Sequence, residues 1–236
     1  MTERSIVRLY GESHLVERIG WLRTAVLGAN DGIISTGSLI LRVASAAISQ
    51  GDVLLTGVAG LVAGAMSMAA GEYVSVSSQS DTEHADLARE KRELTDDPLF
   101  EREELAQIYV ALGVEADLAR EVAKQLMARD ALAAHAEDEL GISEISTARP
   151  VQAALASAAT FSIGAAAPLA LVLVAPSNAL IPVVSVGSLL FLSLLGAIGA
   201  KAGGAGLLKP TIRVTFWGAF AMGLTAGIGA VFGKVV

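Results

Sequence analysis

The strongest constraint on the fold is a set of five apolar runs, roughly 24–48, 53–76, 152–175, 178–200 and 212–233. At about 1.5 Å per residue, each is long enough to cross a hydrocarbon core as a helix. A chain that is 53% hydrophobic, with mean hydropathy +0.57, is too apolar for an ordinary soluble domain. In lipid the backbone must satisfy its own polar groups, which these runs can do only as helices. The predicted fold class is therefore all-α: a polytopic membrane protein with five transmembrane helices and an acidic three-helix insert between the second and third. The predicted division is 1–80 for the N-terminal segment and first two spans, 81–149 for the insert, and 150–236 for the last three spans.

Within the first run, Asp31 lies about a third of the way along, where an ionisable group is expensive and marks a functional site. Asp31, Ser35, Ser38 and Arg42 fall at i, i+4, i+7 and i+11, so they share one helical face that should look at protein or water. Arg42 stands about 16 Å from Asp31 along such a helix, too far for a direct pair. The second run has Gly57, Gly64 and Gly71 one heptad apart, with Gly60 and Gly64 in GxxxG spacing that continues to Met68 and Glu72. Small residues so spaced let helices approach closely in lipid. From position alone Met68 reads as gap-filling in that contact, and Glu72 as an acid near the span's end that can snorkel or pair. Gly51-Asp52 reads as a tight turn between the two spans.

Charge is unevenly distributed. Residues 81–149 hold 18 Asp+Glu against 8 Lys+Arg, a net of −10, whereas the rest of the chain nets +3. An acidic insert argues against nucleic acid as a partner. The absence of cysteine excludes disulfides and thiolate metal sites. Met1 to Arg23 has no apolar core resembling a signal peptide; it reads as an amphipathic surface helix with Trp21 at the interface. Lys201, Lys209 and Arg213 flank the connection between the last two runs, and the short connections at 49–52 and 175–178 lack basic residues. The positive-inside rule then sets the N-terminus, the insert and the 201–213 loop in the cytoplasm and the C-terminus outside, with Lys234 the dissenting charge. The expected location is an integral membrane one, such as a bacterial inner membrane.

The insert reads as three helices. The second span should run on into solvent to about Thr95. Asp97 and Pro98 then serve as cap and first residue of a helix over 98–111. The third helix covers about 115–140, amphipathic through Leu118, Val122 and Leu126, with Gly141 closing it. Glu83, Asp86, Glu90 and Glu93 stay within a quarter-turn sector of the first helix; Glu101 and Glu104 (i, i+3) and His135 and Glu139 (i, i+4) lie on the other two. Like charges so arranged destabilise a helix, and a cation would relieve them, although acids at a helix start and on solvated faces are common without one. Carboxylates with one imidazole suit Fe²⁺ or Mn²⁺. A di-iron oxidase would want Glu-x-x-His motifs, and the chain has none.

GANDGIISTGSL (28–39), AGAMSMAAGEYVSVSSQSD (63–81) and an acidic insert ending DELG (138–141) resemble the vacuolar iron transporter family, including its bacterial and nodulin-like members. The resemblance covers essentially the whole chain. It implies a non-enzymatic homodimer in which Fe²⁺ or Mn²⁺ leaves the cytosol in exchange for protons, with Zn²⁺ and Co²⁺ as further bound ions and no resident cofactor. It implies Asp31 and Met68 on the transport path, reversing the gap-filling reading of Met68, and Glu72, one turn beyond Met68, is the further candidate for that path. It also implies Glu90, Glu93, Glu101, Glu104 and Glu139 as metal ligands of the insert, to which the spacing from Glu139 adds His135. The chain departs from the plant members at His135, where they have methionine, at Ala136, and at Thr24, where they have an acid. The alternative is a non-transporting membrane protein whose acidic domain buffers or senses metal.

Overall fold

The computed structural model describes residues 3–46, 49–142 and 148–232, with side chains placed for 22–46, 49–142 and 148–228. Every regular element among them is helical: α1 (Glu3–Ala44), α2 (Gln50–Asp96), α3 (Pro98–Ala111), α4 (Ala116–Asp138), α5 (Pro150–Val174), a 3₁₀ turn (Ser177–Ala179), α6 (Leu180–Ala202) and α7 (Leu208–Phe232). By contacts the chain separates into two units, 1–72 with 151–236, and 73–150. The amphipathic reading of 1–23 and of Trp21 lies outside the described side chains; the backbone from Glu3 is part of α1 without a break.

Three helices are long and apolar enough to cross a membrane among the described residues: α2, α5 and the Ser177–Ala202 stretch that contains α6. Asn30 and Asp31 dilute the apolar run of α1. In this first unit Ile40, Val53, Leu169, Val172 and Val184 form one buried cluster, and Ile33, Leu192 and Met222 another. Leu55, Leu155, Ile163, Leu173 and Leu190 face outward, as a surface solvated by lipid tails requires. Glycines let the helices close. A Cβ on Gly57 would meet Leu169, on Gly60 would meet Leu39, and on Gly64 would fall 2.2 Å from Phe161, whereas Gly71 faces open space.

The connection before α2 differs from the tight turn expected at Gly51-Asp52. The helix already begins at Gln50, because Ser49 and Asp52 cap it reciprocally: the Asp52 amide donates to Ser49 Oγ at 3.2 Å and that hydroxyl donates to Asp52 Oδ2 at 2.6 Å. Gln50 Nε2 donates to the terminal carbonyls of α5 at Val172 (2.5 Å) and Ala175 (3.2 Å), satisfying acceptors that the helix itself cannot.

In the second unit, α3 begins as expected, with Asp97 accepting from the Phe100 amide. Glu115 caps α4, and Gly113 (φ +95°) and Gly141 (φ +66°) take the left-handed turns that favour glycine. Two expectations for the third insert helix are corrected. Its fully buried face is Ala119 and Ala123, packed on Leu105 and Ala106 of α3; of the expected stripe Val122 and Leu126 are half-buried and Leu118 is 57% exposed, because small side chains allow α3 and α4 to approach closely and so set the phase. The helix is also interrupted at Asp130 (φ −160°, ψ 99°), whose carboxylate accepts from the Ala133 amide at 3.0 Å and so caps a new start.

Candidate metal centre

In the 73–150 unit three helices deliver four ligand-bearing groups to a common point, α2 and α3 one each and α4 with its closing residue two. Glu90 comes from α2, Glu101 from the first turn of α3, His135 from the last turns of α4, and Glu139 from the residue that closes α4. One candidate ligand atom from each lies within 4.8 Å of all the others. His135 Nδ1 is 3.0 Å from Glu90 Oε1, 3.0 Å from Glu139 Oε2 and 3.9 Å from Glu101 Oε2. His135, Glu90 and Glu101 are buried, and Glu139 stands at the solvent side. Glu90 Oε1 and His135 Nε2 have no hydrogen-bond partner of good geometry. Unsatisfied buried polar atoms are costly, and a cation among them would remove part of that cost.

The electrostatics carry the same strain. Burial, together with the charges of Glu139, Glu101 and Glu93, raises the Glu90 carboxyl above its ordinary 4.5, against the lowering effect of His135. Burial, then Glu104, Glu139 and Glu93, raise Glu101 likewise. Glu101 gains partial compensation from the positive end of α3. The two remaining acids expected as ligands, Glu93 and Glu104, are near enough to act on these charges but stand outside the close set of four. Glu93 is exposed and Glu104 half-buried. Tyr109 of α3 donates to Asp138 beside the cluster, and its phenol is pushed up to about 12, chiefly by burial.

In the other unit, Asp31 and Met68 line one cavity of about 170 Å³, with Ser35, Thr36, Ser67 and the Phe161 ring completing much of its wall. Ser35 Oγ bonds back to the Asp31 carbonyl and lies 3.2 Å from its Oδ1. Thr36 is buried with its hydroxyl unpaired. Glu72, one turn beyond Met68 and half-buried, does not line this cavity. Of the expected polar face of α1, Asp31, Ser35 and Arg42 are exposed, but Ser38 is buried and its hydroxyl unpaired. Sequence reasoning passed over Thr36 and Ser67. Their signal was proximity, each hydroxyl being next in sequence to Ser35 or Met68.

Helices of spanning length and an outward apolar surface define an integral membrane protein, and the carboxylate–imidazole cluster of its other unit is a set of groups that could hold a metal ion. The chain belongs to the VIT family, whose model matches residues 22–230. It is similar to a protein named vacuolar iron transporter from Acanthamoeba castellanii, 46% identical over 233 residues that span 96% of this chain and 86% of that one. It is also similar to vacuolar iron transporter homolog 1 of Oryza sativa subsp. japonica, 36% identical over 224 residues (94% and 78% of the two chains). Vacuolar iron transporter homolog 2.1 of Arabidopsis thaliana is 34% identical over 224 residues (94% and 86%).

Proposed function

We propose that the chain is a proton-coupled antiporter that moves Fe²⁺ or Mn²⁺ out of the cytosol. Its relatives bear the name iron transporter, and the observation that carries the reading for this chain is the cavity shared by Asp31 and Met68. A carboxylate and a thioether make a mixed hard and soft donor pair, which holds a transition metal without demanding the full dehydration and rigid cage of a structural site. The carboxylate takes either a proton or the cation, and alternation between the two is what antiport requires. The hydroxyls of Ser35, Thr36 and Ser67 supply neutral oxygens beside them. The insert cluster of Glu90, Glu101, His135 and Glu139, with Glu93 and Glu104 beside it, captures the ion before transport.

In this reading α1 and α7 complete five crossings, two chains form the working dimer, and the basic residues Lys201, Lys209 and Arg213 lie on the cytosolic side with the insert. The alternative of a tethered metal buffer leaves an intramembrane carboxylate without a use. Metal flux into proteoliposomes under an imposed pH gradient separates the two. Transport of Fe²⁺ or Mn²⁺ with opposite proton movement supports the proposal, and binding without flux would establish the buffer.

A further inference from the structure

A second, larger cavity of about 600 Å³ opens in the membrane-spanning unit where α1, the end of α6 and the start of α7 converge. Its walls are mostly apolar, with Leu22, Val26, Val214 and Trp217 among them, yet two guanidinium groups, Arg23 and Arg213, stand on it. Both arginines are exposed. No carboxylate lines the cavity and neither arginine makes an ion pair among the described residues. Glycines of α6 lie on its wall. A Cβ on Gly196 would reach 3.0 Å from Thr211 of α7, and one on Gly199 would reach 3.1 Å from Val26 of α1, so α6 draws close to both neighbours at the cavity.

We propose that this cavity binds an anionic phospholipid, its phosphate held by Arg23 and Arg213 and an acyl chain lying along Leu22, Val26, Val214 and Trp217. Guanidinium forks match phosphate oxygens bidentately, and basic pockets between spanning helices at the membrane surface recognise anionic headgroups. A free phosphate would satisfy the arginines but leave the apolar walls wet. The rings of Phe216, Trp217 and Phe220 form an exposed edge-to-face series on α7, an apolar surface against which an acyl chain can lie. Lys201, in the last turn of α6, and Lys209, in the first turn of α7, flank the same connection and add positive charge there. The inference does not depend on which ion is carried, or on transport at all.

Native mass spectrometry of the full-length protein, purified in detergent and titrated with phosphatidylglycerol, phosphatidylcholine or inorganic phosphate, tests it. Wild type should retain one phosphatidylglycerol per chain and bind phosphatidylcholine about ten-fold or more weakly, with millimolar phosphate unable to displace the lipid. R23Q/R213Q should lose the preference, single R213Q should lose part of it, and R42Q, which removes an arginine of α1 outside the cavity, should keep it. Trp217→Ala should weaken phosphatidylglycerol without restoring phosphatidylcholine. Equal retention of the two lipids by wild type, undiminished phosphatidylglycerol binding in R23Q/R213Q or R213Q, or displacement by phosphate alone would overturn the proposal.

Discussion

A Cβ added to Gly164 of α5 would fall 2.1 Å from the carbonyl oxygen of Ala29 in α1, two residues before Asp31. Backbone lies against backbone at this crossing, so neither side can yield by a rotamer change. On α1 itself, Gly32 repeats the arrangement against Phe161 O at 2.2 Å. Asp31 is thus presented from a segment pinned on both sides.

Gly164→Ala should therefore lower thermal stability of the purified protein by about 1–3 kcal/mol, the usual range for overpacking, and shift α1 enough to depress transport. Gly71→Ala meets nothing within 4 Å and should be neutral or slightly stabilising, since alanine is the better helix former. Melting curves of the two variants give the comparison; equal losses would mean that the crossing is not close-packed.

Replacement of Asp31 by Asn should leave folding and insert metal binding intact while abolishing metal flux and the accompanying proton movement in vesicles. Met68→Leu, which keeps volume but removes the sulfur, should slow transition-metal flux with the protein still folded. Normal metal-driven proton flux in the Asp31 variant would move the coupling role elsewhere, with Glu72 the next residue to test.

At the insert, His135→Ala should weaken Zn²⁺ or Mn²⁺ binding about ten-fold or more, read by calorimetry on the full-length protein, while Glu104→Gln, outside the close set of four, should cost less. Replacing Glu90, Glu93, Glu101, Glu104 and Glu139 together by alanine should abolish binding at this unit. Unchanged titration curves would show that the ion is held elsewhere.

The raised carboxyls of Glu90 and Glu101 give a signed pH dependence. Their folded-state values exceed the ordinary 4.5, so the stability they contribute to the metal-free unit is fully present below pH 4.5 and is lost as pH rises through the raised values. Hydrogen exchange of the insert amides should show protection falling over that window without metal. Added Mn²⁺ or Zn²⁺ should restore protection increasingly as pH rises, because the cation binds the ionised form. Glu90→Gln should stabilise the metal-free unit at neutral pH and make no difference below 4.5; the opposite sign would place the burial cost elsewhere.

Single cysteines introduced at Asp81 and Asn178, into a chain that has none of its own, should react with impermeant reagents from opposite faces of the membrane. Labelling from one face would refute the proposed orientation.

The features legible from sequence were those whose cause is local. Asp97 and Pro98 announce the start of α3 within two residues, Gly141 marks the end of α4 as the residue type suited to a left-handed turn, and the spacing of His135 and Glu139 aligns them on any helix. What escaped depends on a partner. Leu118, Val122 and Leu126 form as good an apolar stripe as Ala119 and Ala123, and only the surface of α3 decides between the two phases. An aspartate inside a helical pattern reads as a solvated surface residue, so Asp130 gave no warning that its carboxylate caps a new turn. The cavity of Asp31 is walled from α2 and α5 as well as its own helix, and Thr36, Ser67 and Phe161 acquire their places only when those helices meet.

The break at Asp130 also uncouples two angular registers. In an uninterrupted helix, one residue gained or lost near Ala119 would swing every later side chain by about 100° and carry His135 and Glu139 away from Glu90. Because Asp130 leaves the helical path and restarts it through the Ala133 amide, the eight residues that follow take their phase from that cap. The first part of α4 takes its phase from its fit to Leu105, and the ligand-bearing part takes its aim from the cap at Asp130.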